Sequence, residues 1–272
     1  MKTPDSRPVV VGVNGTAAGL AAVRLGAREA VSLGRELRVV HAFAWPDPKF
    51  GKAPQGYAPA RRDASKILDR AVAVAQRSTP GVRVHGEVID GPPIRVLRRQ
   101  SRTAALLIIG DGELATDLGM SMDSVLLQTV SRAFCPIVVA RGPRPSAGPL
   151  LAAVDGSDAS LQALQLAAAE AQRHDAPLDV AHVIQRRGSE AAGRKLLDAA
   201  VAAVPELRNA RKRLLIGDPA GALVRASRKA RMVLVGPRGV DGAALLGPVA
   251  QELLRHGACP TLFVHGTTAL KR

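Results

Sequence analysis

Aromatic side chains make up only 2% of this 272-residue chain, with one tryptophan and one tyrosine among them. A protein so poor in rings offers few platforms for stacked nucleic-acid bases, and its cores have to be built from Ala, Val and Leu. Cysteine occurs twice, which excludes a disulfide framework and leaves too few thiols for a zinc cluster. No apolar run reaches the length of a membrane span. The N-terminal stretch MKTPDSRP lacks the apolar core of a secretory leader. These absences predict a soluble, intracellular protein of the cytoplasm with no membrane contact. Acidic residues are also scarce, 23 against 38 basic ones, so the formal net charge is +15. The excess is spread, +9 over residues 1–146 and +6 over the remainder, so it is no basic tail. It fits an anionic partner, nucleic acid or acidic protein, and equally an ordinary solvated Arg-rich surface. No H-x-x-x-H pair, Cys cluster or G-x-x-x-x-G-K-[ST] loop is present, and Gly119 to Asp123 fails the nucleophile-elbow pattern at its last place. No catalytic constellation is therefore expected, and the chain is read as a non-enzyme.

What the chain does have is a repeat. VVVGVNGTAAGLAAVRLGAREA near the start is answered by LLAAVDGSDASLQALQLAAAEA further on. Asn14 pairs with Asp155 and His41 with His182 at an offset of 141. Gly91 pairs with Gly217 and Gly110 with Gly236 at 126, and Cys135-Pro136 with Cys259-Pro260 at 124. Five landmarks in one order mean one module written twice. The Pro- and Gly-containing stretch 142–149 suits the boundary, giving modules 1–144 and 145–272. The gap from the histidine to the glycine is 35 residues in the second copy against 50 in the first, a shortening that falls on a Pro/Gly loop and the helix after it.

Along module one, strands at 9–14, 36–43, 82–89, 103–110 and 136–141 alternate with helices at about 17–33, 64–78, from Gly91 to Arg102, and near 121–133. A loop rich in Pro, Gly and Lys spans 45–59. Nearly unbroken apolar strands fit burial on both faces, and the strand–helix alternation predicts an α/β fold, an open parallel sheet with helices on both sides. In such sheets ligands lie beyond the carboxyl ends of strands where strand order reverses.

The segments that converge there carry a resemblance. VNGT (13–16) and VDGS (154–157), GPP (91–93) and GDP (217–219), LLIIGDGE (106–113), MVLVGPRG (232–239), CPIVV (135–139) and CPTLFV (259–264) resemble the universal stress protein family, in tandem over nearly the whole chain. The resemblance implies two Rossmann-like domains of the adenine nucleotide alpha hydrolase type, each with a five-stranded parallel sheet. It implies self-association through the terminal strands, as a homodimer or as pairing of the two modules, and a stress-response role. Some members bind ATP, with the first-strand aspartate near the adenine and ribose and a loop patterned G-x-x-G-x9-G-[ST] on the phosphates. Glycines let backbone N–H groups approach phosphate, and a helix N-terminus adds its dipole.

Both copies depart from that pattern. In module one Asn14 replaces the aspartate, Gly110 holds the first glycine place, Glu113 stands at the second, and Asp123-Ser124 stands where Gly-Ser belongs. A like-charge pair a few ångströms apart costs up to about 4 kcal/mol, so module one is expected to bind ATP poorly. In module two Asp155, Gly236 and Gly239 are present and Arg238 lies inside the loop. Seven residues precede Gly247 instead of nine, and Pro248 removes both a donor and a hydroxyl. At most weak ATP or other adenine-nucleotide binding is expected there, and the glycines equally suit a tight strand-to-helix turn.

Other residues carry weaker signals. Arg95, Arg98, Arg99 and Arg102 share one helical face, with Arg225 and Arg228 at the places of the last two. That stripe is either an anion-docking face or the solvated side of a helix that packs through Ile94, Val96 and Leu97. His41 and His182 are expected to be supporting or packing groups. Trp45 and Tyr57 are expected to pack a loop against its own helix. Each cysteine opens an apolar run, as a buried reduced thiol does.

Overall fold

A computed structural model of the chain describes residues 7–45, 56–112, 124–142, 147–207, 210–237 and 246–265. It divides into two compact units, Met1–Cys135 and Pro136–Arg272. Unit 1 runs β1 (Val9–Val13), α1 (Ala17–Ser32), β2 (Leu37–Phe43), α2 (Tyr57–Ser78), β3 (Val84–Asp90), α3 (Pro93–Ser101), β4 (Leu106–Gly110) and α4 (Val125–Arg132). β1 lies between β2 and β4, and β2 between β1 and β3, all parallel. Strand order therefore reverses at the β1/β4 junction, where the sheet steps from one crossover direction to the other. Val9, Val10 and Val11 of β1 and Leu107 and Ile108 of β4 are fully buried. Each such side chain contributes roughly 1.5–3 kcal/mol on leaving water. Covering both faces of these strands is what demands an apolar residue at every position.

Unit 2 holds β5 (Ile137–Ala140), β6 (Leu150–Ala153), α5 (Asp158–His174), β7 (Leu178–Ile184), α6 (Glu190–Ala202), β8 (Arg211–Ile216), α7 (Pro219–Ser227), β9 (Met232–Val235), α8 (Pro248–His256) and β10 (Thr261–Phe263). β7, β6, β9 and β10 repeat the parallel arrangement, with β8 outermost beside β7. The α/β class is as the alternation predicts, and each copy contributes five strands, β1–β5 and β6–β10. β5, which closes the first copy in sequence, clusters with unit 2 and pairs antiparallel with β10. Among the described residues no helix is long and apolar enough to cross a membrane.

A second difference lies at α2. It begins at Tyr57, not near residue 64. Tyr57 meets the edges of Phe43 and Trp45 at ring-centroid distances of 5.6 and 5.8 Å, and Arg61 lies over the Phe43 ring at 5.3 Å. This aromatic knot fixes the first turn, and Pro59 there costs nothing because first-turn N–H groups have no helical partner. The packing role expected of Trp45 and Tyr57 is thus seen, although Tyr57 sits in the helix and not in the loop.

Two buried serines tie matching corners. Ser101 Oγ donates to Arg98 O at 2.8 Å and accepts from Phe134 N at 3.1 Å. Ser227 Oγ donates to Val224 O at 2.7 Å and accepts from Ala258 N at 2.9 Å. Each pins the end of a helix to the turn that leads into the cysteine strand. Cys135 and Cys259 are buried, and burial pushes each thiol up to about 12 from an ordinary 9.0. Thiols held neutral in this way are packing groups, not nucleophiles.

Candidate functional site

The turn after β1 is built from side chains that bond to one another. Thr16 Oγ1 donates to Asn14 Oδ1 at 2.7 Å, Thr16 N also donates to that oxygen at 3.3 Å, and Gly19 N donates to Thr16 Oγ1 at 3.2 Å. Thr16 is the N-cap of α1, satisfying one of the donors that a helix start leaves open. Gly15 takes φ 83°, a left-handed conformation that favours glycine. Module two repeats every bond. Ser157 N donates to Asp155 Oδ1 at 3.0 Å, Ser157 Oγ donates to the same oxygen, and Ser160 N donates to Ser157 Oγ at 3.2 Å. Gly156 takes φ 87°. The two turns therefore differ in what they present outward. Asn14 keeps an amide N–H₂ outside these bonds, whereas Asp155 keeps a second carboxylate oxygen.

The matched histidines buttress these turns. His41 Nδ1 lies 2.9 Å from Val13 O, and His182 Nδ1 lies 2.8 Å from Val154 O. A carbonyl only accepts, so the ring donates from Nδ1, and the neutral ring then carries its lone pair on Nε2. The supporting role read from the sequence is what the geometry displays, with strand two clamped to the end of strand one.

A cleft of about 120 Å³, open to solvent at its mouth, sits at the β1/β4 reversal of unit 1. Asn14, Thr16 and His41 supply its polar groups, and Leu97, Ile109 and Val125 stand among its apolar walls. Gly12, Gly110 and Gly112 also line it. A β-carbon on Gly110 would lie 2.5 Å from the carbonyl carbon and oxygen of Ala18 and 2.9 Å from Gly19 N. No side chain fits there, because β4 runs directly against the start of α1. The sequence singled out Asn14 and Gly110, and the structure brings them into one cleft. It passed over Gly12 and Gly112, the latter only two places beyond Gly110. The G-x-G spacing was visible, but the family loop pattern directs attention to the next position, Glu113.

The remaining positions behave as helix starts. Ser124 is the N-cap of α4, and its Oγ accepts from Leu127 N at 3.4 Å. In unit 2, β6 and β9 pair side by side, so Asp155 and Gly236 follow adjoining strand ends. Gly247 is the N-cap of α8, and its N–H donates to Pro237 O at 2.9 Å. That donor is spent closing the loop on itself, and Pro248 behind it has none. Glu113, Asp123, Arg238 and Gly239 lie outside the described residues.

Of the arginine face on α3, all four guanidinium-bearing residues are exposed, while Val96 and Leu97 are buried. Arg98 and Arg102 lie over the ring of Phe134 at 5.3 and 4.2 Å. Phe134 is 41% exposed, so these two cations shield a surface ring as well as facing solvent.

Two α/β units with the same order of parallel strands, the second repeating the first, define a duplicated, doubly wound α/β protein. The family model described as "Universal stress protein family" matches residues 6–141 and again 148–265, and the chain belongs to that family. A universal stress protein of Mycobacterium tuberculosis (strain H37Rv) is 27% identical over 288 residues, covering 95% of this chain and 96% of that protein. One from Mycolicibacterium smegmatis is 28% identical over 286 residues, covering 94% and 96%. Among solved structures, a universal stress protein from Archaeoglobus fulgidus superimposes with TM-score 0.73 at 14% identity, over 97% of this chain and 98% of that one.

Proposed function

We propose that the chain is a stress-response regulatory protein whose module-one cleft receives the nucleoside end of an adenine nucleotide, while neither module grips a triphosphate. The observation that carries this reading is the cleft at the β1/β4 junction, with Asn14, Thr16 and His41 set among apolar walls. Apolar walls with a few convergent polar groups suit the base of a nucleoside. The phosphate side is weak in both copies. In module one Glu113 and Asp123 stand at the loop places where glycines would meet phosphate, and in module two the Gly247 N–H is turned inward. Binding in module two, through Asp155 and Gly236, is accordingly weak at most.

Isothermal titration of the whole protein with AMP and with ATP tests the reading. AMP binds at least as tightly as ATP, and Val125→Trp, which places bulk in the cleft from the start of α4, removes the signal. ATP binding about a hundredfold tighter than AMP, a difference of roughly 2.8 kcal/mol, overturns it. Loss of heat for both ligands would favour the second reading, a nucleotide-independent scaffold that engages an anionic partner through its basic surface. The charge of +15 is what favours that alternative. Self-association through terminal strands belongs to the same proposal, and the antiparallel β5–β10 pair supports its form within one chain. Sedimentation velocity reads it, a monomer at micromolar concentration fitting that form and a dimer fitting the other.

A further inference from the structure

β8 is the outermost strand of unit 2, and among the described residues nothing pairs with its free edge. Its sequence is Arg-Lys-Arg-Leu-Leu-Ile. The two faces of the strand are used differently. Lys212 reaches Asp198 of α6 at 2.5 Å, and Leu214 packs toward the same helix, where a β-carbon on Gly193 would lie 2.6 Å from it. Arg213 and Leu215 face the other way, toward α7. With Ala222, Arg225, Ala226 and Lys229 they line an open groove of about 310 Å³ that Ile216 also borders. Ile216 is 46% exposed, a large apolar side chain left open beside the edge. Arg213 is held in place by Asp179 at 3.0 Å, while Arg225 and Lys229 are exposed.

The groove is duplicated only in part, Arg225 answering Arg99 of module one. At the 126 offset, Arg211, Arg213, Ile216 and Lys229 correspond to His85, Glu87, Asp90 and Thr103 of module one. Four positions along and beside the outer strand have become basic or apolar in one copy only, while the sheet core beneath stays the same. Such divergence suits a surface with a task of its own.

We infer that the β8 edge and the α7 groove dock an extended, acidic segment of a partner protein, which adds to the sheet as a further strand. An open edge offers a row of backbone N–H and C=O groups that only another extended backbone satisfies. The cations on β8 repel a second β8 and so oppose edge-to-edge pairing of copies, but they attract carboxylates. The exposed Ile216 and the Leu215 floor ask for apolar side chains alternating with the acidic ones. A nucleic acid fits less well, because no ring lines the groove for a base to stack on.

Fluorescence anisotropy with the full chain tests this, using a labelled peptide of alternating Glu and Val. Three comparison probes are used: the same peptide N-methylated at alternate residues, a Lys/Val peptide, and a single-stranded oligonucleotide. The Glu/Val peptide binds, its affinity falls as salt rises, and the N-methylated form and the Lys/Val peptide do not bind. The double variant Arg225→Glu, Lys229→Glu, both sites being exposed, weakens binding about tenfold or more with an unchanged circular dichroism spectrum. Equal binding of the N-methylated peptide shows charge attraction without strand addition and overturns the inference. So does tighter binding of the oligonucleotide, or no binding of the Glu/Val peptide. The AMP titration is independent of all these outcomes, so failure here leaves the cleft reading standing.

Discussion

Asn14 and Asp155 occupy one turn geometry and differ in a single group, an amide in place of a carboxylate oxygen. The bonds to Thr16 and Ser157 are the same in kind, so the exchange leaves the backbone untouched and alters only what meets a ligand. Thr16→Ala removes the α1 cap and is expected to lower stability by about 1 kcal/mol, read from the midpoint of urea unfolding. Gly110→Ala is harsher, because its β-carbon meets backbone at 2.5 Å and not the flexible end of a side chain. Separation of β4 from α1 should cost about 1–3 kcal/mol and reduce AMP binding with it. An unchanged melting temperature would show that the two elements are not in close contact. The cysteines give a pH prediction. Their folded thiols titrate at about 12 against an ordinary 9.0, so between those values the unfolded chain loses protons first. The thiol contribution to stability is whole below pH 9 and declines as pH climbs toward 12. Replacing both by Ala should flatten that alkaline decline, and in the native protein at pH 8 neither thiol should react quickly with a disulfide reagent.

At the scale of elements, the repeat made most of the fold legible. Strand-length apolar runs ending at Asn14, Gly110 and Asp155 marked where the sheet's carboxyl ends lie, because polar turn residues follow buried strands only there. The start of α2 was not legible. Pro59 and the Gly/Pro content before it signal a loop, and the aromatic contacts that hold Tyr57 in the first turn are tertiary. The direction of the β5–β10 pair was not legible either, since nothing in the residues of β5 specifies an antiparallel neighbour. The cleft was half legible. Asn14 and Gly110 carry a motif, whereas Gly12 and Gly112 are identified only by what presses on them. The serine ties at Ser101 and Ser227 also went unread, although they keep the 126 offset. Ser227→Ala leaves the Ala258 N–H buried without an acceptor, at a cost of about 1–3 kcal/mol, while Ser227→Thr should retain most of the stability. Equal stability of the Ala variant and the parent would mean that water or a shifted helix end replaces the bond.

For the whole molecule, duplication followed by divergence accounts for the pattern. The parts needed to fold, namely capped turns, histidine clamps, serine ties and buried thiols, are the same in both copies. The parts that meet other molecules differ: amide against carboxylate at the first turn, different losses in the phosphate loop, and a basic groove on β8 alone. The net charge of +15 would by itself draw a more highly charged nucleotide more strongly, so any preference against added phosphates has to come from the local site. A crystal of the full chain soaked with ATP tests the account most directly. The prediction is density for a base and ribose in the cleft beside Asn14 and His41, with the phosphates beyond the first not ordered by the protein. A triphosphate ordered by backbone donors of the segment that follows Gly112 would contradict it.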